Sequence, residues 1–354
     1  MISAALAVPG DITTVTGGYI YDRRLLEELR LAGREMHLIR LADSFPFPSR
    51  LEMANALSQL QDIPTDCPVI IDGLAFGALD TAGVAAIRAP IIALVHHPLA
   101  LESGLPESQQ SYLFETERNN LRHTAQVLVP SPHTAAVLVE RYDVQMDRIH
   151  IARPGIAQPQ RDSVVRPLPH TPPLILSVGI LHPRKGHDVL IDALAQIADL
   201  EWSATIAGIP WEQGHAEALQ QQIDRLELGK RVRLAGCVSA EELAQLYGQA
   251  CLFALATRYE GYGMVFNEAL VHELPIVSCR TGAVPDTVPA EAGLLVPRDD
   301  PAAFAGAMRL ILTNPKRHAG MAQAAARFGS RLPDWAETAR IAGVAVDAAA
   351  RAAK

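Results

Sequence analysis

A chain of 354 residues, 49% apolar and 20% charged, is long enough for two hydrophobic cores and reads as globular, not disordered or fibrous. Its formal net charge of −8 excludes a general affinity for nucleic acid. The four cysteines (Cys67, Cys237, Cys251 and Cys279) are scattered, with no C-x-x-C pair, which excludes a zinc ribbon or a disulfide framework and points to a reducing compartment.

The apolar start MISAALAV lacks basic residues and turns after eight positions, so a buried strand over 2–8 is expected, not a signal peptide. No apolar run reaches the ~18 residues of a membrane span, and a cytoplasmic protein is expected. Short apolar runs over 36–41, 68–72, 90–97, 126–131 and 149–155 alternate with amphipathic stretches such as 21–33 and 133–142. This is the α/β pattern. The stretch 156–173 holds five prolines and no apolar period, which marks a linker. The pattern then restarts with strands over 173–180, 202–209, 232–238, 251–256, 275–279 and 292–297, interleaved with helices over 187–198, 215–228, 240–250 and 264–273. Two Rossmann-like domains follow, over 1–158 and 173–328, with a linker at 159–172 and a terminal helical segment over 329–354.

Ligands of such domains sit beyond the carboxyl ends of the strands, so the turns there carry the chemistry. Gly17 and Gly18, placed before helix 21–33, can admit a close ligand or simply make a turn. His96 and His97 end an apolar strand and can meet a hydroxyl or shuttle a proton; strand alternation turns the two rings apart, so at most one reaches a ligand. The stretch 101–120 after them reads as a polar loop. Arg184 and Lys185 precede a helix start, against the dipole preference, and a bound diphosphate would resolve that conflict. Lys185 is one of only four lysines. In RYEGYGMVFNE, Glu260 stands in the loop before a helix and Glu268 within it. The N–H groups from Gly261 through Tyr262, Gly263 and Met264 to Val265 form an anion-binding helix start. Glu268, an acceptor only when ionised, suits a ribose diol.

Together these residues resemble the retaining family-4 glycosyltransferases (glycosyl transferases group 1), whose GT-B fold sets two Rossmann-like domains across a cleft with a C-terminal helix crossing back to the first. EGYG followed by EAL, SVGILHPRKGHDVLIDAL, LAGCVSAEELAQLYGQA and TGGY carry the resemblance over most of the chain. It implies Glu268 at the nucleotide ribose, Glu260 at the donor sugar, Lys185 at the diphosphate and the backbone of Val238 at the base. It also places Gly17 and Gly18 along the cleft and His96 or His97 at a sugar hydroxyl, with His96 favoured. Ile180 stands where the family often has Arg, and Arg184 would take over. Glu273 stands where the family usually has Gly, so a left-handed residue there would cost roughly 1 kcal/mol. No D-x-D pair occurs, so no metal is expected at the diphosphate.

The implied reaction moves a hexosyl group, with retention, from a UDP-sugar or GDP-mannose to a sugar or glycoconjugate acceptor, in polysaccharide or glycoconjugate synthesis. The nucleotide sugar is a co-substrate, and no further cofactor is expected. Residues 1–158 hold 12 Arg and no Lys against 18 acids, or 12 − 18 = −6, which allows only weak peripheral membrane contact. The alternatives are a GT-B sugar-nucleotide epimerase or hydrolase, and a non-catalytic two-lobed sugar-binding protein.

Overall fold

A computed structural model describes residues 1–102, 104–157, 171–211 and 213–352. Two compact units result: Met1–Gly155 with Pro333–Lys354, and Ile156–Leu332. The greater part of the linker expected at 159–172 lies outside the described residues.

The first unit has six parallel strands: β1 Ala4–Pro9, β2 Met36–Leu41, β3 Val69–Asp72, β4 Ile91–Leu94, β5 Gln126–Val129 and β6 Ile149–Ile151. Their order is β2-β1-β3-β4-β5-β6, so the topological switch lies between β1 and β3. β1, β3 and β4 are buried along their whole length, which is why they read as continuous apolar runs. Alternate residues serve opposite faces. Ala5, Ala7, Val69 and Ile71 join one core; Leu6, Val8, Ile70 and Ile92 join the other.

That second core is closed by the terminal helix, Trp335–Ala352, against the helix Gly17–Leu31. Ala339, Ala342, Val346 and Ala349 recur at helical spacing and are fully or almost fully buried. Thr338 Oγ1 donates to the Arg153 carbonyl at 2.7 Å, and Arg34 pairs with Asp347 at 2.9 Å. A Cβ on Gly155 would stand 2.2 Å from Trp335 N, so only glycine lets the chain pass the helix start there.

The second unit's strands are β7 Leu174–Val178, β8 Ser203–Ala207, β9 Val232–Gly236, β10 Ala250–Leu255, β11 Ile276–Cys279 and β12 Gly293–Val296. The parallel order β12-β11-β10-β7-β8-β9 is that of a dinucleotide-binding Rossmann sheet, with its switch point between β7 and β10. Gly186, in a left-handed conformation with φ +64°, brings the chain after β7 against the end of β10: a Cβ there would lie 2.0 Å from the Ala256 carbonyl oxygen.

Two sequence expectations are corrected. The supposed polar loop over 101–120 contains the helix Glu107–Leu121. Its inward face is partly polar: Leu113 and Leu121 are buried together with Glu117 and Asn120. Asn120 Nδ2 donates to the carbonyls of Phe76 and Leu79, both at 2.8 Å, and Glu117 accepts from the Leu99 N–H at 3.1 Å. Secondly, Gly17 and Gly18 form the first turn of their helix and do not precede it. Among the described residues, no helix is long and apolar enough to cross a membrane.

Candidate active site

Both switch points gather charged and polar side chains. In the second unit the chain leaves β7 through Gly179 and turns at Pro183–Lys185 before the helix His187–Ala195. It leaves β10 through Thr257–Gly263 before the helix Met264–Val271. The two turns are bonded to each other. Arg258 N donates to the Arg184 carbonyl at 2.7 Å, Thr257 Oγ1 stands 3.1 Å from the same oxygen, and Arg184 NH1 donates to the Tyr259 carbonyl at 3.0 Å. Arg258 also forks onto Asp188 at 2.8 and 3.0 Å, donates to the Pro183 carbonyl and reaches Asp299 at 2.7 Å.

At the centre, Lys185 Nζ stands 2.6 Å from Glu260 Oε1, with Thr257 Oγ1 donating to the same oxygen at 3.0 Å and Arg184 3.8 Å from Oε2. Glu260 is 4% exposed. Burial alone would raise its pKa, but the charges of Lys185 and Arg184 and the bonds from Lys185 and Thr257 overcome it, so the carboxyl titrates below its ordinary range. The aliphatic stem of Lys185 runs over Gly179, where a Cβ would meet it at 3.3 Å. Gly282, at φ +50°, allows the loop after β11 to close on the Glu260 backbone, and Ala283 N donates to the Glu260 carbonyl at 2.9 Å.

Gly263 is the N-cap of Met264–Val271, in a left-handed conformation, and no side chain caps the helix. Of the expected donor-site residues along this turn, Gly261, Gly263, Met264 and Val265 can offer only backbone polar groups. Tyr262 turns its side chain inward, where its hydroxyl accepts from Asn267 Nδ2 at 2.9 Å. Glu268 lies within the helix. Tyr247 OH donates to its Oε2 at 2.7 Å, and burial raises the carboxyl pKa against that bond. Val238 follows β9, half-buried, beside the N-cap Ser239. Thus Arg184, Lys185 and Glu260 are brought into one cluster, while Glu268 follows β10 and Val238 follows β9, two strands separated by β7 and β8 in the sheet.

In the first unit His96 and His97 lie beyond the end of β4, in a loop, so strand alternation does not govern them. They nevertheless take different partners. His97 Nε2 bonds Glu102 at 3.0 Å. His96 Nε2 stands 3.0 Å from Asp22 and 3.4 Å from Asp72, which are 1% and 4% exposed. The donor atoms of this trio all lie within 4.8 Å of one another. The spacing is one a small cation could use, yet 3.0 Å from imidazole to carboxylate is the separation of a hydrogen bond. Gly18 packs on the His96 ring, its Cβ position 3.6 Å from Cδ2, whereas nothing stands within 4 Å of the corresponding point on Gly17.

Sequence reasoning did not single out Asp22, Asp72, Tyr247, Thr257 or Arg258. Asp72 ends a strand at the switch point, which is a signal that strand-end reading could have used. Thr257 and Arg258, in the turn after β10, carry the same signal, while Asp22 and Tyr247 sit within helices at positions with no local pattern.

Two parallel Rossmann-like sheets, with the chain returning to the first unit through its last helix, define a GT-B protein. Solved structures bear this out. The sucrose-phosphate synthase from Thermosynechococcus elongatus matches with a TM-score of 0.79 at 21% identity, covering 96% of this chain and 98% of that one. HepE of Anabaena in complex with UDP-glucose matches at 0.73 and 17%, covering 96% and 98%. Residues 160–328 match the family model described as Glycosyl transferases group 1. It is 28% identical over 265 residues to the D-inositol 3-phosphate glycosyltransferase of Corynebacterium efficiens, covering 70% of this chain and 62% of that protein. Across the first four curated relatives the chain spans between 50% and 65% of their length.

Proposed function

We propose that this chain transfers a hexosyl group, with retention, from a nucleotide diphosphate sugar to a hydroxyl acceptor in glycoconjugate or polysaccharide synthesis. The observation that carries the reading is the Lys185–Glu260 pair at the switch point of the second sheet, beside the uncapped helix start at Gly263. The diphosphate engages Lys185 Nζ, Arg184 and the N–H groups at the start of Met264–Val271. Glu260 is released to a hydroxyl of the donor sugar, and Glu268 accepts from the ribose diol. As the glycosidic bond breaks, negative charge grows on the β-phosphate, and fixed cations and N–H donors lower the barrier. The acceptor proton passes to the departing phosphate on the same face. In the first unit, Gly17, Gly18 and His96 meet sugar atoms.

Lys185 and Arg184 supply the charge that the diphosphate needs, so the reaction is proposed to run without a metal. A UDP-sugar is the first donor to test, because HepE was solved with UDP-glucose. A cytoplasmic location follows from a nucleotide-sugar substrate and free cysteines.

The test is a thermal-shift screen with UDP, GDP, ADP and their sugars, each with and without EDTA. A ligand at ~100 times its Kd stabilises the fold by about 2.7 kcal/mol. UDP or UDP-sugar is expected to raise the midpoint equally in both buffers. If no nucleotide shifts it, the donor-site reading fails; if only the EDTA-free samples shift, the metal-free reading fails.

A further inference from the structure

We infer that Asp22 and Asp72 are positioning residues that keep His96 a fixed imidazolium, so that its Nδ1–H meets a sugar hydroxyl as a permanent donor and not as a proton shuttle. The inference rests on the reading above, in which His96 touches sugar.

The geometry runs from the sequence switch point. β3 ends at Asp72 beside β1, and the helix after β1 carries Asp22 one turn beyond Gly18. These two carboxylates, both buried, address a single atom of His96, Nε2, at 3.0 and 3.4 Å. The rest of the ring is held in place. Tyr21 stands edge-on, 5.1 Å between centroids at 81°, and is itself fixed by donating from its hydroxyl to the Ala152 carbonyl at 2.8 Å. Gly18 covers the Cδ2–Nε2 edge. The side chain is 21% exposed, and with Nε2 taken by the two carboxylates a ligand would address Nδ1.

Two buried like charges side by side are unfavourable unless a proton or cation joins them. The proton has two places to go. Burial works against an imidazolium, but the charges of Asp22 and Asp72 and their hydrogen bonds reverse this and hold the His96 pKa well above its ordinary value. Burial and the neighbouring Asp72 charge likewise hold Asp22 above the usual carboxylate range. The other titratable groups on the neighbouring elements do not compete. Burial and the four acids Asp72, Asp22, Asp43 and Asp11 push Tyr19 up to about 12, so it stays neutral. Tyr21 is engaged with Ala152, and His97 and Glu102 pair with each other.

The chemical consequence lies at Nδ1. In a neutral ring that donates from Nε2, Nδ1 can only accept; in an imidazolium it donates. Protonation therefore decides the polarity of the atom that a sugar hydroxyl would meet.

The test is a pH titration of 15N-histidine-labelled protein by NMR in EDTA, without added donor, with His96→Gln to assign the signal. The imidazolium pattern of His96 is expected to persist above about pH 8, and Asp22→Asn and Asp72→Asn are each expected to lower the midpoint by at least about one unit. A wild-type midpoint within about half a unit of 6.5 overturns the inference. So does stoichiometric displacement of the proton by Mg2+ or Zn2+ at micromolar concentration, which would make a cation the occupant. In the enzyme assay, Asp22→Asn should lose at least about tenfold in kcat/KM above pH 7.5 and approach wild type near pH 6, where an unassisted histidine still carries its proton. A loss equal at all pH values would mark a merely structural role and overturn the positioning. A raised NMR midpoint with unchanged Asp22→Asn activity would leave the charge state standing and overturn the placement of His96 at the sugar.

Discussion

Lys185 Nζ and Glu260 Oε1 lie 2.6 Å apart, and their side chains are only 11% and 6% exposed. The cation assigned to the diphosphate and the carboxylate assigned to the sugar thus hold each other, and donor binding has to exchange that pair for two new ones. Removing one partner of a buried pair leaves the other uncompensated, which costs about 3–5 kcal/mol, whereas removing both is near neutral. Lys185→Ala should therefore lose both activity, on the order of 10²- to 10³-fold in kcat/KM, and several degrees in melting temperature. The double variant Lys185→Met with Glu260→Gln should regain most of the stability and none of the activity. Recovery of activity in the double variant would refute the catalytic role of the pair.

Glu268 keeps one carboxylate oxygen on Tyr247 OH at 2.7 Å, and in the proposed function its second oxygen accepts from a ribose hydroxyl. Hydrogen bonds to a charged acceptor are worth about 1.5–3 kcal/mol, so Glu268→Ala should weaken UDP binding roughly 10- to 100-fold by calorimetry. The wild type should discriminate against 2′-deoxy-UDP, and the variant should not. Equal loss of affinity for UDP and its deoxy analogue would place Glu268 elsewhere than on the diol.

Glu117 carries a pH prediction. Its carboxyl is fully buried and pushed up to about 8 by that burial, against the Leu99 N–H that favours its ionised form. A carboxyl raised in the folded state keeps its proton there while the unfolded chain has lost it, so stability falls as pH rises from about 4.5 to about 8. Glu117→Gln keeps an acceptor for Leu99 N and removes the titration. Denaturant unfolding at pH 5 and pH 8.5 should show the wild type losing stability relative to the variant, by at most about 1.4 kcal/mol per pH unit across the window. An unchanged difference between the two proteins would contradict the burial argument.

The contrast between Glu117 and Lys185 shows what the sequence made legible. The strands stood out, most clearly those buried on both faces, such as Val69–Asp72, which are unbroken apolar runs. The helix Glu107–Leu121 stayed hidden because its inward face includes Glu117 and Asn120, polar residues that bond to groups of other elements far off in sequence. In the site, Glu260, Glu268 and Lys185 were visible through turns and helix starts, which are local. Asp22 was not: its partner His96 is 74 residues away, and nothing in the helix Gly17–Leu31 marks position 22 as special. The clamp by Arg258, which reaches Asp188 across 70 residues, was invisible for the same reason.

Glu273, just past the end of the helix that carries Glu268, offers a stability test. It was expected to adopt a left-handed conformation, and its φ is +61°. The bonds identify the cause. Leu274 N donates to the Ala269 carbonyl at 2.9 Å and Glu273 N to the Leu270 carbonyl at 3.0 Å, the two bonds that close a helix with a left-handed residue after its cap. A side chain in that conformation costs about 1 kcal/mol that glycine does not. Glycine gives some of this back by loosening the unfolded chain, so the net gain should be smaller. Glu273→Gly should raise stability by about 0.5 kcal/mol, and the melting temperature by roughly 1–2 °C, with kcat/KM unchanged. A destabilised variant would mean that contacts of the Glu273 side chain outweigh the strain of its backbone.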